Sequence, residues 1–82
     1  MVNTRVQVGK ELKEKVQKEY SVEEIADWAY TLYLYGACRD DSDFEYVMLT
    51  LGMMEMGPEF EYSYKELNHI ADDLINGRKV KL

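Results

Sequence analysis

The residues best placed to do chemistry in this chain are carboxylates. Asp40, Asp41, Asp43 and Glu45 crowd into the stretch Asp40-Asp41-Ser42-Asp43-Phe44-Glu45, and the alternation of Asp41, Asp43 and Glu45 has the outline of a calcium loop. Such a loop needs a glycine at its sixth position for the sharp turn and a bidentate glutamate at its twelfth. Those places hold Tyr46 and Gly52, so the chemistry fails on spacing. His69, the single histidine, has Asp72 and Asp73 nearby in sequence but no second strong ligand at zinc spacing. Cys38, the single cysteine, lacks the histidine and orienting acid that would mark a nucleophile. Gly36, Gly52, Gly57 and Gly77 read as helix stops or packing sites, with neither G-x-G-x-x-G nor P-loop order. The chain is therefore read as non-enzymatic, with no metal site and no cofactor.

What the carboxylates can still do is attract a cation. Residues 1–20 hold five basic and three acidic side chains, residues 21–77 hold two basic and thirteen acidic, and Arg78, Lys79 and Lys81 follow. The long middle section repels nucleic-acid backbone and anionic membrane and attracts a basic protein surface. Its basic ends are either tails or arms that fold back on the acidic body. An apolar share of 46% and an aromatic share of 12% separate the chain from disordered acidic sequences, so it is expected to fold despite a net charge of −6. One cysteine permits no internal disulfide, and no run reaches the ~18 apolar residues of a membrane span, so the expected location is the cytoplasm.

The elements that must position these acids are helical. Ser21-Val-Glu-Glu24, Ser42-Asp-Phe-Glu45 and Ser63-Tyr-Lys-Glu66 each have the order of a capping box, and each is followed by a helix-compatible segment ending at a glycine, namely Gly36, Gly57 and Gly77. The boxes recur every 21 residues, which fits either an internal repeat or shared capping chemistry on helices of similar length. Before them, Leu12, Val16 and Tyr20 form a narrow four-residue stripe, with Glu11–Lys15 and Glu14–Lys18 at helical pair spacing. The expectation is all-α: a small irregular four-helix bundle with helices over 9–20, 22–36, 43–56 and 64–76. Residues 1–8 would form an arm or short strand ahead of a single helical domain over 9–82. The run Tyr46–Met56 is apolar on most sides and is expected at the centre, with the first helix peripheral. Met48, Met53, Met54 and Met56 either fill the core or line an adaptable groove.

Seven tyrosines are many for 82 residues, and they are read either as rim residues of a small core or as contact residues. The link Glu59-Phe60-Glu61-Tyr62, with Tyr64 just beyond, is the best single place for contact. The candidate partner-binding set is Asp40, Asp41, Asp43, Glu45, Glu59, Glu61, Tyr62 and Tyr64.

The opening Tyr20-Ser21-Val22-Glu23-Glu24-Ile25, a later helix ending Met54-Glu55-Met56-Gly57-Pro58, an acidic tyrosine-bearing link and a short capped last helix together resemble the small acidic helical immunity proteins of bacterial toxin systems, the colicin type among them. The likeness covers size, charge and layout over residues 20–75. The consecutive Tyr-Tyr-Pro of the colicin type is absent, Tyr62 and Tyr64 being split by Ser63, so no family residue is carried over. The resemblance implies an acidic protein-binding module that neutralises a basic toxin or nuclease domain. A DNA-mimic variant would turn the same charges on a nucleic-acid-binding surface. The rival expectation is a homodimeric structural or regulatory subunit using the apolar arc of the second and third helices.

Overall fold

The computed structural model describes residues 4–36 and 41–80. Within them the chain forms four α-helices and no strand. The helices are α1 (Thr4–Gln17), α2 (Val22–Leu34), α3 (Ser42–Gly52) and α4 (Tyr64–Ile75), and two short 3-10 turns, Met53–Met56 and Pro58–Phe60, join α3 to α4. The all-α bundle expected from the sequence is the fold.

α1 begins earlier than the sequence pattern suggests. Thr4–Val8, expected as part of an arm, are helical, while residues 1–3 lie outside the described residues. Val8 extends the Leu12–Val16 stripe by one turn, and both Val8 and Leu12 are buried. Gly9 looks like a boundary because glycine costs about 1 kcal/mol in a helix. Here it lies inside α1 and faces α4. A Cβ on Gly9 would stand 2.9 Å from the Ala71 carbonyl oxygen, 2.9 Å from Ile75 Cγ1 and 3.0 Å from Leu74 Cβ. Only glycine lets the two backbones come this close.

The helices pack as two pairs, α1 with α4 and α2 with α3. α1 runs antiparallel to α4: Arg5 reaches the Arg78 carbonyl at one end, Lys13 Nζ meets Asp72 Oδ1 at 2.6 Å in the middle, and the Tyr64 hydroxyl donates to the Tyr20 carbonyl at 2.8 Å at the other end. In the second pair Gly52 lies against Tyr30, where an added Cβ would be 3.0 Å from Tyr30 Cβ and 3.3 Å from its Cα. One buried cluster joins all four helices with Met54 and Val80. These pairings correct two expectations: α1 is a core helix, and α3 is not the centre. α3 buries the stripe Phe44, Val47, Met48 and Leu51 but leaves Tyr46 60% exposed, so its apolar composition includes an outward face. Of the methionines, Met48 and Met54 are core, whereas Met56 is exposed.

The helix ends show where local chemistry competes. The Ser21 hydroxyl accepts from Glu24 N at 3.2 Å. Ser63 and Glu66 make both halves of a capping box, at 3.1 Å each. The middle box does not form. Asp41, one residue earlier than Ser42, caps α3: its carboxylate accepts from Phe44 N at 3.1 Å, and its carbonyl takes the first helical bond from Glu45 N at 2.8 Å. Serine and aspartate rank alike as caps by type, and here the ionised Asp41 carboxylate adds a charge that complements the positive helix end. The caps thus stand at 21, 41 and 63, and the even spacing that suggested a repeat dissolves.

At the C-terminal ends, Gly36 and Gly77 take left-handed φ values of 71° and 69°. Gly57, by contrast, is extended at φ 164° and closes no α-helix, because α3 tightens into a 3-10 turn after Gly52. α4 closes with Arg78 N on the Asp73 carbonyl at 2.9 Å and Gly77 N on the Leu74 carbonyl at 3.4 Å, the paired bonds of a Schellman turn. α1 closes in the same way, with Tyr20 N on the Lys15 carbonyl at 3.0 Å and Glu19 N on that of Val16 at 3.1 Å. There the left-handed position falls to Glu19, at φ 55°. Lys15 Nζ lies 5.0 Å from the Tyr20 ring centroid and 5.1 Å from that of Trp28, so it serves this turn and not the expected Glu11 pair. The Glu14–Lys18 pair forms as expected, at 2.8 Å.

Candidate functional site

The basic ends of the chain fold back, and this sorts the carboxylates into two kinds. Arg5 of α1 lies 3.2 Å from Asp41 and 3.6 Å from Asp43. Lys13 pairs with Asp72 at 2.6 Å, and Arg78 with Asp73 at 2.9 Å. The backbone N–H of Phe44, helped by the Arg5 guanidinium, holds Asp41 below the usual carboxylate range, and the Lys13 ammonium does the same for Asp72. Asp41 and Asp43, at the front of α3, are therefore committed to capping the helix and tying it to α1. Asp40 and Cys38 lie outside the described residues.

At the other end of α3 the acids are free of such ties. Among the described residues Glu23, Glu55, Glu59 and Glu61 make no ion pair. The link between α3 and α4 carries a groove on each flank. On one flank a groove of about 470 Å³ is lined by Tyr46, Leu49 and Thr50 from α3, by Met53 from the 3-10 turn that follows it, by Glu59, Phe60, Glu61 and Tyr62 from the link, and by Glu66 from α4. On the other flank Glu61 meets Glu23 and Glu55 beside the start of α2. Glu61 thus borders both. Tyr62 is half-buried, and that burial, reinforced by Tyr46 and Glu66 nearby, raises its phenol above the ordinary value. Its ring packs on the core, which fixes the link.

The expected site residues are thus only partly brought together. Glu59, Glu61 and Tyr62 share one face. Tyr64 is 41% exposed but does not line the groove, and its hydroxyl is taken by the Tyr20 carbonyl. Glu45 sits in the first turn of α3, where acids complement the helix end. The structure adds Tyr46 and Glu66 to the groove, which Phe60 of the expected link also lines. A signal for Tyr46 was present: Tyr46, Leu49 and Thr50 repeat at helical spacing on the side of α3 opposite its buried stripe, and Met53 carries the spacing into the 3-10 turn. Phe60 stands within the link expected to make contact, and its place depends on the turn Pro58–Phe60, closed by the Glu61 N bond to the Pro58 carbonyl at 3.2 Å.

Chemically, this face can hold a cation. Carboxylates attract it over distance, and Tyr46 and Phe60, 60% and 39% exposed, offer ring faces at close range. Among the described residues no group of three or more His, Cys, Asp or Glu converges as a metal site, and no helix is long and apolar enough to cross a membrane. No protein-family model, no curated protein and no solved structure matches the chain.

Proposed function

We propose that this chain is a non-enzymatic protein-binding module that takes a basic protein partner on the face around Glu59, Glu61 and Tyr62. In its sharpest form it neutralises a toxin or nuclease domain in the cytoplasm, as an immunity protein does. One observation carries the reading: Glu59 and Glu61, which make no ion pair among the described residues, line one groove with the part-exposed rings of Tyr46, Phe60 and Tyr62, while Asp41, Asp43, Asp72 and Asp73 are held in ion pairs within the fold. Unpaired carboxylates steer a basic surface to this face, and Tyr46, Phe60 and Tyr62 supply the desolvated contact that holds it.

The experiment compares the wild-type chain with a Glu59→Gln/Glu61→Gln variant, each immobilised and exposed to lysate of the native host at low ionic strength. A basic polypeptide retained by the wild type, released as salt rises and absent from the variant is the expected result. Recovery of no basic protein, or equal retention by the two chains, would count decisively against the proposal.

A second reading, self-association through α2, has its own observation. Leu34 and Tyr35 are 62% and 82% exposed at the end of that helix, next to the stacked Tyr30 and Tyr33 rings, whose centroids lie 6.1 Å apart. Sedimentation showing a monomer at every concentration would remove it.

A further inference from the structure

A second cleft, of about 570 Å³, shares Tyr62 and Glu66 with the acidic groove as a common wall but has the opposite character. We propose that it is a binding site for a small phosphate monoester whose phosphate is carried on an apolar ring. Its volume lies within the range of small-molecule sites, and its cations, Lys65, Arg78 and Lys79, lie outside the groove of the proposed protein-binding face.

Charge is the first argument. In a chain of net charge −6, the cleft collects Lys65, Arg78 and Lys79 around the imidazole of His69. Lys65 and Lys79 make no ion pair among the described residues. The two acids present are engaged: Glu66 Oε1 accepts from Ser63 N at 3.1 Å, and Asp73 Oδ1 accepts from Arg78 Nε at 2.9 Å. What remains for a ligand is therefore positive.

Placement is the second. The Schellman turn that ends α4 puts Arg78 directly over Asp73, whose side chain is 16% exposed, and the carboxylate fixes the guanidinium by its Nε edge. Neither Nη of Arg78 has a partner among the described residues. A guanidinium held in this way presents a planar fork that matches two phosphate oxygens. Its backbone is pinned as well, since Arg5 donates to the Arg78 carbonyl and Val80 is buried.

The third argument is the cleft's apolar part. Ile70, buried in the core, and the half-buried Tyr62 ring both line the cleft, which gives it an apolar wall beside the cations. A phosphate on Arg78, Lys65 and Lys79 would set an attached ring over these two residues. A carboxylate offers fewer acceptor oxygens to the same donors, and a bare phosphate leaves the apolar surface wet.

Phenyl phosphate is the probe, titrated into the full chain by NMR while the ring protons of His69, the only histidine, are followed. The expected result is a saturable shift, with inorganic phosphate weaker and phenol without effect. Arg78→Gln should weaken phenyl phosphate at least about tenfold, as loss of a charge-assisted pair does. Lys18→Gln, which removes an exposed charge that does not line the cleft and is paired with Glu14, should leave binding unchanged to within about twofold. No saturable shift, equal weakening by Lys18→Gln, or equal affinity for inorganic phosphate would overturn the proposal. If Arg78→Gln loses helical circular dichroism, Lys65→Gln/Lys79→Gln decides: lost binding supports the site, and unchanged binding overturns it.

Discussion

Replacing Gly9 by alanine sets two opposed effects against each other inside α1. On propensity alone, alanine should stabilise a helix interior by about 0.8–1 kcal/mol. The added Cβ, however, arrives 2.9 Å from the Ala71 carbonyl oxygen and 3.0 Å from Leu74 Cβ, and neither atom can turn away by a side-chain rotation. The third neighbour, Ile75 Cγ1 at 2.9 Å, can move. Relief therefore requires α1 and α4 to separate by several tenths of an ångström, although Arg5 to the Arg78 carbonyl and Tyr64 to the Tyr20 carbonyl tie them at both ends. Overpacking costs about 1–3 kcal/mol, and rigid neighbours place this site in the upper half of that range. The net expectation is a loss of roughly 1–2 kcal/mol, which for a chain of this size lowers Tm by about 4–16 °C. Thermal and urea unfolding followed by far-UV circular dichroism measures it, with the exposed Gln7→Ala as a control. Because Ile75 shares the clash, Gly9→Ala and Ile75→Ala together should cost less than the sum of the two. A Gly9→Ala chain as stable as wild type, or more so, would refute the close helix approach and with it the antiparallel α1–α4 pair as described.

Asp41→Ala should cost about 1–2 kcal/mol, most of it the lost cap because Asp43 stays beside the largely buried Arg5, whereas Ser42→Ala should stay within about 0.5 kcal/mol; the reverse order in urea midpoints would restore Ser42 as the cap. Asp41, Asp72 and Glu14 are all held below their ordinary values by backbone or ammonium hydrogen bonds. A lowered folded value means that their contribution is present above the ordinary carboxylate value of about 4 and fades as pH falls through the lowered ones. Urea midpoints should accordingly drop below about pH 4; a curve flat from neutrality to pH 3 would contradict these pairings. Tyr62 works in the other sense: its raised phenol favours the protonated fold, so stability should fall as pH rises past about 10, and Tyr62→Phe should flatten that decline. Glu59→Gln/Glu61→Gln should leave the urea midpoint unchanged to within about 0.5 kcal/mol while abolishing capture of a basic partner.

Much of the fold was readable because its signals are local. The Ser21 and Ser63 caps, the stops at Gly36 and Gly77 and the amphipathic stripe Leu67, Ile70, Ala71 and Leu74 depend on neighbours within one or two turns. What the sequence hid depends on partners far along the chain. Gly9 reads as a helix boundary until Ala71 and Leu74 are known to lie against it. α3 reads as central until α1 is found lying along α4. The cap of α3 was misplaced by one residue because serine and aspartate are equally good caps by type. Arg5, which lies beside Asp41 and Asp43, belongs to another helix.

The same long-range contact separates two acidic rims that composition treats as one. Asp41 and Asp43 at the front of α3 and Glu59 and Glu61 beyond its end look alike as charge, and a count of carboxylates assigns them equal claims to a basic partner. Arg5 breaks that equality. A partner cation reaching for Asp41 must compete with a guanidinium already 3.2 Å away and with the Phe44 N–H at 3.1 Å, so binding there would loosen the start of α3. Glu59 and Glu61 oppose no such loss: their carboxylates cap no helix and pair with no cation among the described residues. Repulsion between like charges around Glu61 is then a cost of the free chain that only a positively charged partner relieves. The rim whose carboxylates contribute least to the fold is therefore the rim with most to gain from binding.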